Sequence, residues 1–217
     1  MNVSAAKENI LKKIRKALTQ STPLPFPGSE GASSVFQPSQ QELEIEFAEQ
    51  FSKLLGKFMY CADREELASA LKALIAQRKW EKIYVQDEGL KKALPPGFFN
   101  APGADDLENA DASITLCESL VARTGSIVLS SASKNGRTAS VYAPVHICIA
   151  YTHQLVYDIK EALQGIKENY PGKLPSMISF ATGPSRTADI EKTLVVGVHG
   201  PKEVYVFLLE PEGHAAP

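Results

Sequence analysis

Apolar positions along this chain change their period repeatedly, and each change marks an element. Ile10, Leu11, Ile14 and Leu18 share one side of a 3.6-residue helix, while Lys7, Lys12, Lys13 and Lys16 occupy the rest. Ser4 stands where an N-cap belongs, so the pattern predicts a helix to about Thr19. Leu43, Phe47, Phe51 and Leu55 repeat at helical spacing behind Ser39-Gln40-Gln41-Glu42, which has the residues of a capping box. Leu67, Leu71, Leu74 and Ile75 form a third stripe, capped at Asp63. Short apolar or alternating runs at 57–61, 82–86, 112–116, 127–131, 146–150, 177–181 and 203–209 predict strands. Two more helices fit 87–94, closed by Pro95-Pro96-Gly97, and 155–169, closed by Tyr170-Pro171-Gly172.

This alternation predicts an α/β fold with a mixed, mostly parallel sheet flanked by helices. The nearness of 112–116 to 127–131 predicts some antiparallel pairing in its middle. Thr22-Pro23-Leu24-Pro25-Phe26-Pro27-Gly28 and the Ser/Gly-rich residues after it interrupt the pattern up to about Pro38. We therefore expect an N-terminal helical arm over 1–38 and an α/β domain over 39–217.

Composition narrows the function more than the fold. In 217 residues, 44% hydrophobic and 22% charged suffices for a sizeable core, and a net charge of −2 gives no electrostatic reason to expect nucleic acid. The longest apolar runs are strand-length, far short of the roughly 20 residues of a membrane span. The N-terminus has no hydrophobic leader region, which makes a cytoplasmic location the expectation. Cys61, Cys117 and Cys148 are odd in number and none pair at metal-ligand spacing. They read as reduced core thiols, and no iron–sulfur or zinc site is expected within the chain.

Three turns gather small polar residues of the kind that hold ligands where strands meet loops. Gly183-Pro184-Ser185-Arg186-Thr187-Ala188-Asp189 predicts a turn into a helix capped by Ser185 or Thr187. There, free amides and the Arg186 guanidinium would attract an anion, with Asp189 orienting it. A plain capped helix with a surface arginine fits the same residues. Gly197-Val198-His199-Gly200-Pro201 places an imidazole between glycines, either beside a ligand or as a turn histidine bonded to a carbonyl. Ala122-Arg123-Thr124-Gly125-Ser126 offers hydroxyls and open amides, as an anion cradle or as a hairpin turn. His146 and His153 read as structural. No nucleophile, base and orienting acid stand together in the sequence.

These motifs, with Pro144-Val145-His146-Ile147, resemble the lactate utilisation protein C family, built on a single LUD domain. The resemblance runs from about Lys57 to the C-terminus and also fits the N-terminal helix and proline-rich arm. It implies a fold similar to the NagB/RpiA/CoA-transferase-like group. It implies a cluster-free subunit in the oxidation of L-lactate to pyruvate, beside two partner proteins that carry iron–sulfur clusters. The ligand would be a small carboxylate or phosphate-like molecule, held by Thr124, Gly125, Ser126, Gly183, Ser185, Arg186, Thr187, Asp189, His199 and Gly200. One departure stands out: Arg123 occupies a position where the family usually has Glu. Two other functions remain open, a non-catalytic ligand-sensing or scaffold module and a stand-alone enzyme on a phosphorylated or CoA-linked small molecule.

Overall fold

The computed structural model describes residues 5–19, 38–39, 41–93, 107–133, 137–190 and 193–211. The chain divides into two compact units, Met1–Pro38 and Ser39–Pro217. In the first, helix α1 (Ala5–Leu18) leaves Ile10, Leu11 and Ile14 exposed. The proline-rich stretch lies outside the described residues.

The second unit runs α2 (Leu43–Lys53), β1 (Lys57–Cys61), α3 (Arg64–Arg78), β2 (Ile83–Tyr84), α4 (Glu88–Ala93), β3 (Ala112–Leu116), β4 (Ser119–Val121), β5 (Ser126–Ser130), α5 (Ala139–Tyr142) and β6 (Val145–Tyr151). It continues through β7 (Leu155–Val156), α6 (Ile159–Asn169), β8 (Ile178–Ala181), β9 (Arg186–Ile190), β10 (Thr193–Val196) and β11 (Glu203–Leu209). Five strands in the order β1-β11-β6-β3-β2 form an all-parallel sheet. A second sheet, β7-β4-β5-β8, mixes parallel and antiparallel pairs, and β9 and β10 form an antiparallel ribbon.

Burial explains the strand sequences. β6 and β11 are covered on both faces, so they read as near-continuous apolar runs. On one face of the parallel sheet, Ile114, Ile147, Ile149 and Phe207 pack with Leu67 and Leu71 of α3 and with Leu90 of α4. On the other, Cys148, Val204, Val206 and Leu208 meet Phe47 and Phe51 of α2 and Leu120, Ile127 and Leu129 of the second sheet. Beyond that sheet, Val121 and Val128 pack with Ala162 and Ile166 of α6. The layers are therefore helices, parallel sheet, α2 with the second sheet, and α6.

Four local expectations are corrected. β3 and β5 do not pair: β4 intervenes as the hairpin partner of β5, and β3 pairs parallel to β6 and β2. The antiparallel pairing thus belongs to separate sheets. The residues at 155–169 begin as strand β7, and the helix starts after Asp158, whose carboxylate accepts the Lys160 amide at 3.0 Å. Ser39 does not cap α2; Glu42 occupies the cap without a side-chain bond, and the Ser39 hydroxyl reaches Glu46 instead. The reciprocal cap forms one helix later, where the Asp63 carboxylate accepts the Glu66 amide and Glu66 accepts the Ala62 amide, both at 2.8 Å. The largest correction, at 183–191, concerns the site.

Candidate functional site

The hairpin from β4 to β5 turns through Ala122, Arg123 and Thr124 in one 3-10 turn, closed by Gly125 at φ 59°. A Cβ on Gly125 would stand 2.6 Å from the backbone nitrogen of Phe51, so α2 can lie this close only against glycine. Thr124 Oγ1 bonds Ser126 Oγ at 2.8 Å, and Ser126 Oγ bonds Thr182 Oγ1 at 2.9 Å. Three hydroxyls therefore link the start of β5 to the residue that follows β8. Next in the chain, Gly183 adopts φ 81°, and a Cβ there would meet the Leu54 carbonyl oxygen at 2.7 Å. The same carbonyl accepts a hydrogen bond from Arg186 Nη2 at 2.8 Å. Leu54 is the C-cap of α2, an end where carbonyls lack helical partners and a cation is favoured.

Arg123 turns elsewhere. Its Nε donates to Asp158 Oδ2 at 2.9 Å, and its amide donates to the Tyr157 carbonyl at 3.1 Å. The Lys160 amide, and Arg123 with it, hold the Asp158 carboxyl below the usual carboxylate range. Arg123 thus pins the hairpin to the cap of α6.

A second junction forms at Ser185. The Ser185 amide donates to the Pro201 carbonyl at 2.9 Å, and the Gly197 amide donates to the Ser185 carbonyl at 3.0 Å. A Cβ on Gly200 would stand 3.0 Å from Ser185 Cβ. The two glycine–proline turns are therefore brought together by Ser185, with His199 exposed between them.

The predicted helix at 183–191 is a strand. Arg186 pairs with Val196 and Thr187 with Val195 across the β9–β10 ribbon. Ser185 and Thr187 accordingly cap nothing, and no helix dipole points at an anion there. The attraction for a negative ligand rests on the charge of Arg186, already sharing one N–H with Leu54. Asp189 lies further along β9, where its side chain is outside the described residues; Glu191 is likewise outside them.

The chemistry available is hydrogen bonding and charge. Ser126 Oγ contacts two hydroxyls, and among the described residues no base bonds it to activate it as a nucleophile. Burial pushes the Cys61 thiol up to about 11. Cys148 is raised by its bond with Cys117 and then by burial, and such thiols stay protonated at neutral pH. Among the described residues, no three His, Cys, Asp or Glu side chains gather to hold a metal. Sequence reasoning missed three participants: Thr182, the C-terminal end of α2, and Asp158. Asp158 had a readable signal, since Asp158 with Glu161 three residues on is a helix-start signature. The end of α2 had none, because it is distant in the chain.

The model for the family described as LUD domain matches residues 104–209. This stretch is similar to the LUD domain family. It contains β3 to β11, and hence the second junction and the loop side of the first, whereas the α2 end that completes the first lies outside it. Over 104 residues the chain is 39% identical to "Lactate utilization protein C" of Shouchella clausii, covering 47% of this chain and 45% of that protein. It is 38% identical over 104 residues to the protein of the same name in Bacillus subtilis, covering 46% and 43%. An uncharacterized protein of Neisseria meningitidis is 35% identical over 109 residues, covering 50% and 46%. The chain spans about half the length of the curated relatives it matches. A crystal structure of a DUF162 family protein from Deinococcus radiodurans shares the fold, with a TM-score of 0.58 at 21% identity over 80% of this chain and 99% of that one. The resemblance drawn from the motifs holds, and the fold is as expected, mixed α/β around a mostly parallel sheet.

Proposed function

We propose that this chain serves lactate utilization as a supporting subunit without clusters of its own, beside partner proteins that carry the iron–sulfur chemistry of L-lactate oxidation to pyruvate. Its similarity to lactate utilization protein C and to the LUD domain family carries this reading. The geometry favours support over catalysis: Arg123, standing where the family usually has an acid, is turned to Asp158, and no base bonds Ser126 among the described residues. A small carboxylate or phosphate-like anion would be received at Arg186, with Thr124, Gly183–Thr187 and His199–Gly200 as its candidate neighbours and the buried Gly125 and Ser126 behind them.

Genetic complementation tests both parts. Deleting the coding sequence abolishes growth on L-lactate, and the intact chain restores it; normal growth of the deletion strain would refute the role. An Arg186→Ala chain that folds with an unchanged melting temperature fails to restore growth. Full restoration by it would remove the anion from the proposal and leave support alone.

A further inference from the structure

Strand β1 ends the parallel sheet, and among the described residues no strand pairs with its outer edge. Proteins guard such edges with charge, proline, brevity or a cover, because unpaired N–H and C=O groups otherwise recruit another strand. β1 carries few of these guards. It is a full five residues, Lys57-Phe58-Met59-Tyr60-Cys61, without proline. Met59 and Tyr60 are 44% and 45% exposed, whereas the neighbouring β11 is buried from its second residue on. The one charged side chain of the strand, Lys57, is turned onto Glu203 and onto the Tyr205 hydroxyl at 2.9 Å.

The two faces of the strand border two apolar grooves. On one face Phe58 and Tyr60 line about 570 Å³ with Ile45 and Ala48 of α2. On the other Met59 lines about 220 Å³ with Ala70 and Leu74 of α3. Side chains of a strand alternate between faces, so one added strand places residues over both grooves. A helix would cover only one of them.

Charge selects the occupant. The start of β1 holds two cations, Lys57 and Arg78, on the single carboxylate of Glu203. Its end lies among acids: the Tyr60 hydroxyl donates to Glu210 at 2.9 Å, the Ala62 amide donates to Glu66 at 2.8 Å, and Asp63 comes next in the chain. Two copies paired antiparallel set the cationic start of each strand beside the acidic end of the other, the complementarity that fixes register across an interface.

We propose that a second copy of this chain occupies the edge, β1 pairing antiparallel with β1 about a twofold axis at Met59, so that two five-stranded sheets join into one. Phe58 of each copy then stands opposite Tyr60 of the other, and Lys57 opposite Cys61. The surface is separate from Arg186, and the proposal does not rest on the lactate reading.

Sedimentation velocity of the full chain from low to high micromolar concentration tests it, and the wild type forms a reversible dimer. Met59→Lys sets two like charges face to face on the axis. Because Met59 is exposed, the variant folds with the melting temperature of the dilute wild type, and its dimer is at least tenfold weaker. Met59→Glu behaves in the same way, and an equimolar mixture of the two variants restores the dimer, since only the mixed pair brings opposite charges together. A wild type that stays monomeric, an undiminished dimer in both variants, or a mixture that remains monomeric would each overturn the proposal. Should the charged variants fail to fold, hydrogen exchange of the wild type decides. Amides within residues 57–61 exchange at least tenfold more slowly in the dimer than in the monomer, and equal rates would overturn it.

Discussion

His146 lies at the second position of β6, 1% exposed, with Nε2 bonded to Thr115 Oγ1 at 2.8 Å and Nδ1 unpartnered among the described residues. Burial lowers its pKa from 6.5 to about 4, because the charged ring would sit in a dry interior. The consequence for stability has a definite sign. Above pH 6.5 the ring is neutral in folded and unfolded chains, and it contributes nothing pH-dependent. Between pH 6.5 and about 4 the unfolded chain takes up a proton that the folded chain refuses, so stability falls with falling pH. Over that window the loss from this one group approaches about 3 kcal/mol. Urea unfolding at pH 7 and pH 5 measures it, and the difference shrinks in His146→Gln. An equal difference in that variant would assign the acid sensitivity to other groups. The sequence reading of His146 as structural agrees with its burial. Arg123 was less readable, because its partner Asp158 is brought near only by the pairing of β4 with β7.

Among the elements, α2 shows how a motif acts structurally. Residues of the family-like motifs at 122–126 and 183–191 converge on its last turn. Gly125 allows the backbone approach, Gly183 clears the Leu54 carbonyl, and Arg186 bonds it. Gly125→Ala therefore meets two penalties, a left-handed φ that costs roughly 1–2 kcal/mol in an L residue and a collision with the backbone of Phe51. We expect a loss of more than about 2 kcal/mol in chemical denaturation, since backbone cannot swing aside as a side chain can. A loss below that would mean α2 can move off the hairpin. The β9–β10 ribbon shows the opposite lesson. Gly-Pro-Ser-Arg-Thr-Ala-Asp has the residues of a turn into a capped helix, and capping rules weigh only these neighbours. The strand wins because Val195 and Val196 supply a paired edge that satisfies the backbone of Arg186 and Thr187.

At the scale of the α/β unit, the parallel sheet and the second sheet share one apolar layer, with Phe47 and Phe51 stacked at 5.3 Å inside it. Trp80, the only tryptophan, packs against the opposite face of the parallel sheet. Phe51→Ala should cost about 3–5 kcal/mol. If the layers unfold as one, the denaturation midpoint reported by Trp80 fluorescence shifts by the same amount as that reported by far-ultraviolet circular dichroism. Separate midpoints would show that the sheets melt independently.

The sequence by itself determined which segments are apolar, where most helices begin and end, and that strands alternate with helices under a LUD-type set of motifs. Those properties come from periods of two and 3.6 residues and from caps and turns a few residues long, all of them local. Only the tertiary structure decided that the strands sort into two principal sheets and a ribbon, that β4 separates β3 from β5, and that Arg123 and Arg186 face Asp158 and Leu54. Each of these depends on surfaces distant in the chain meeting in a packed interior, where burial and backbone pairing outweigh local preference.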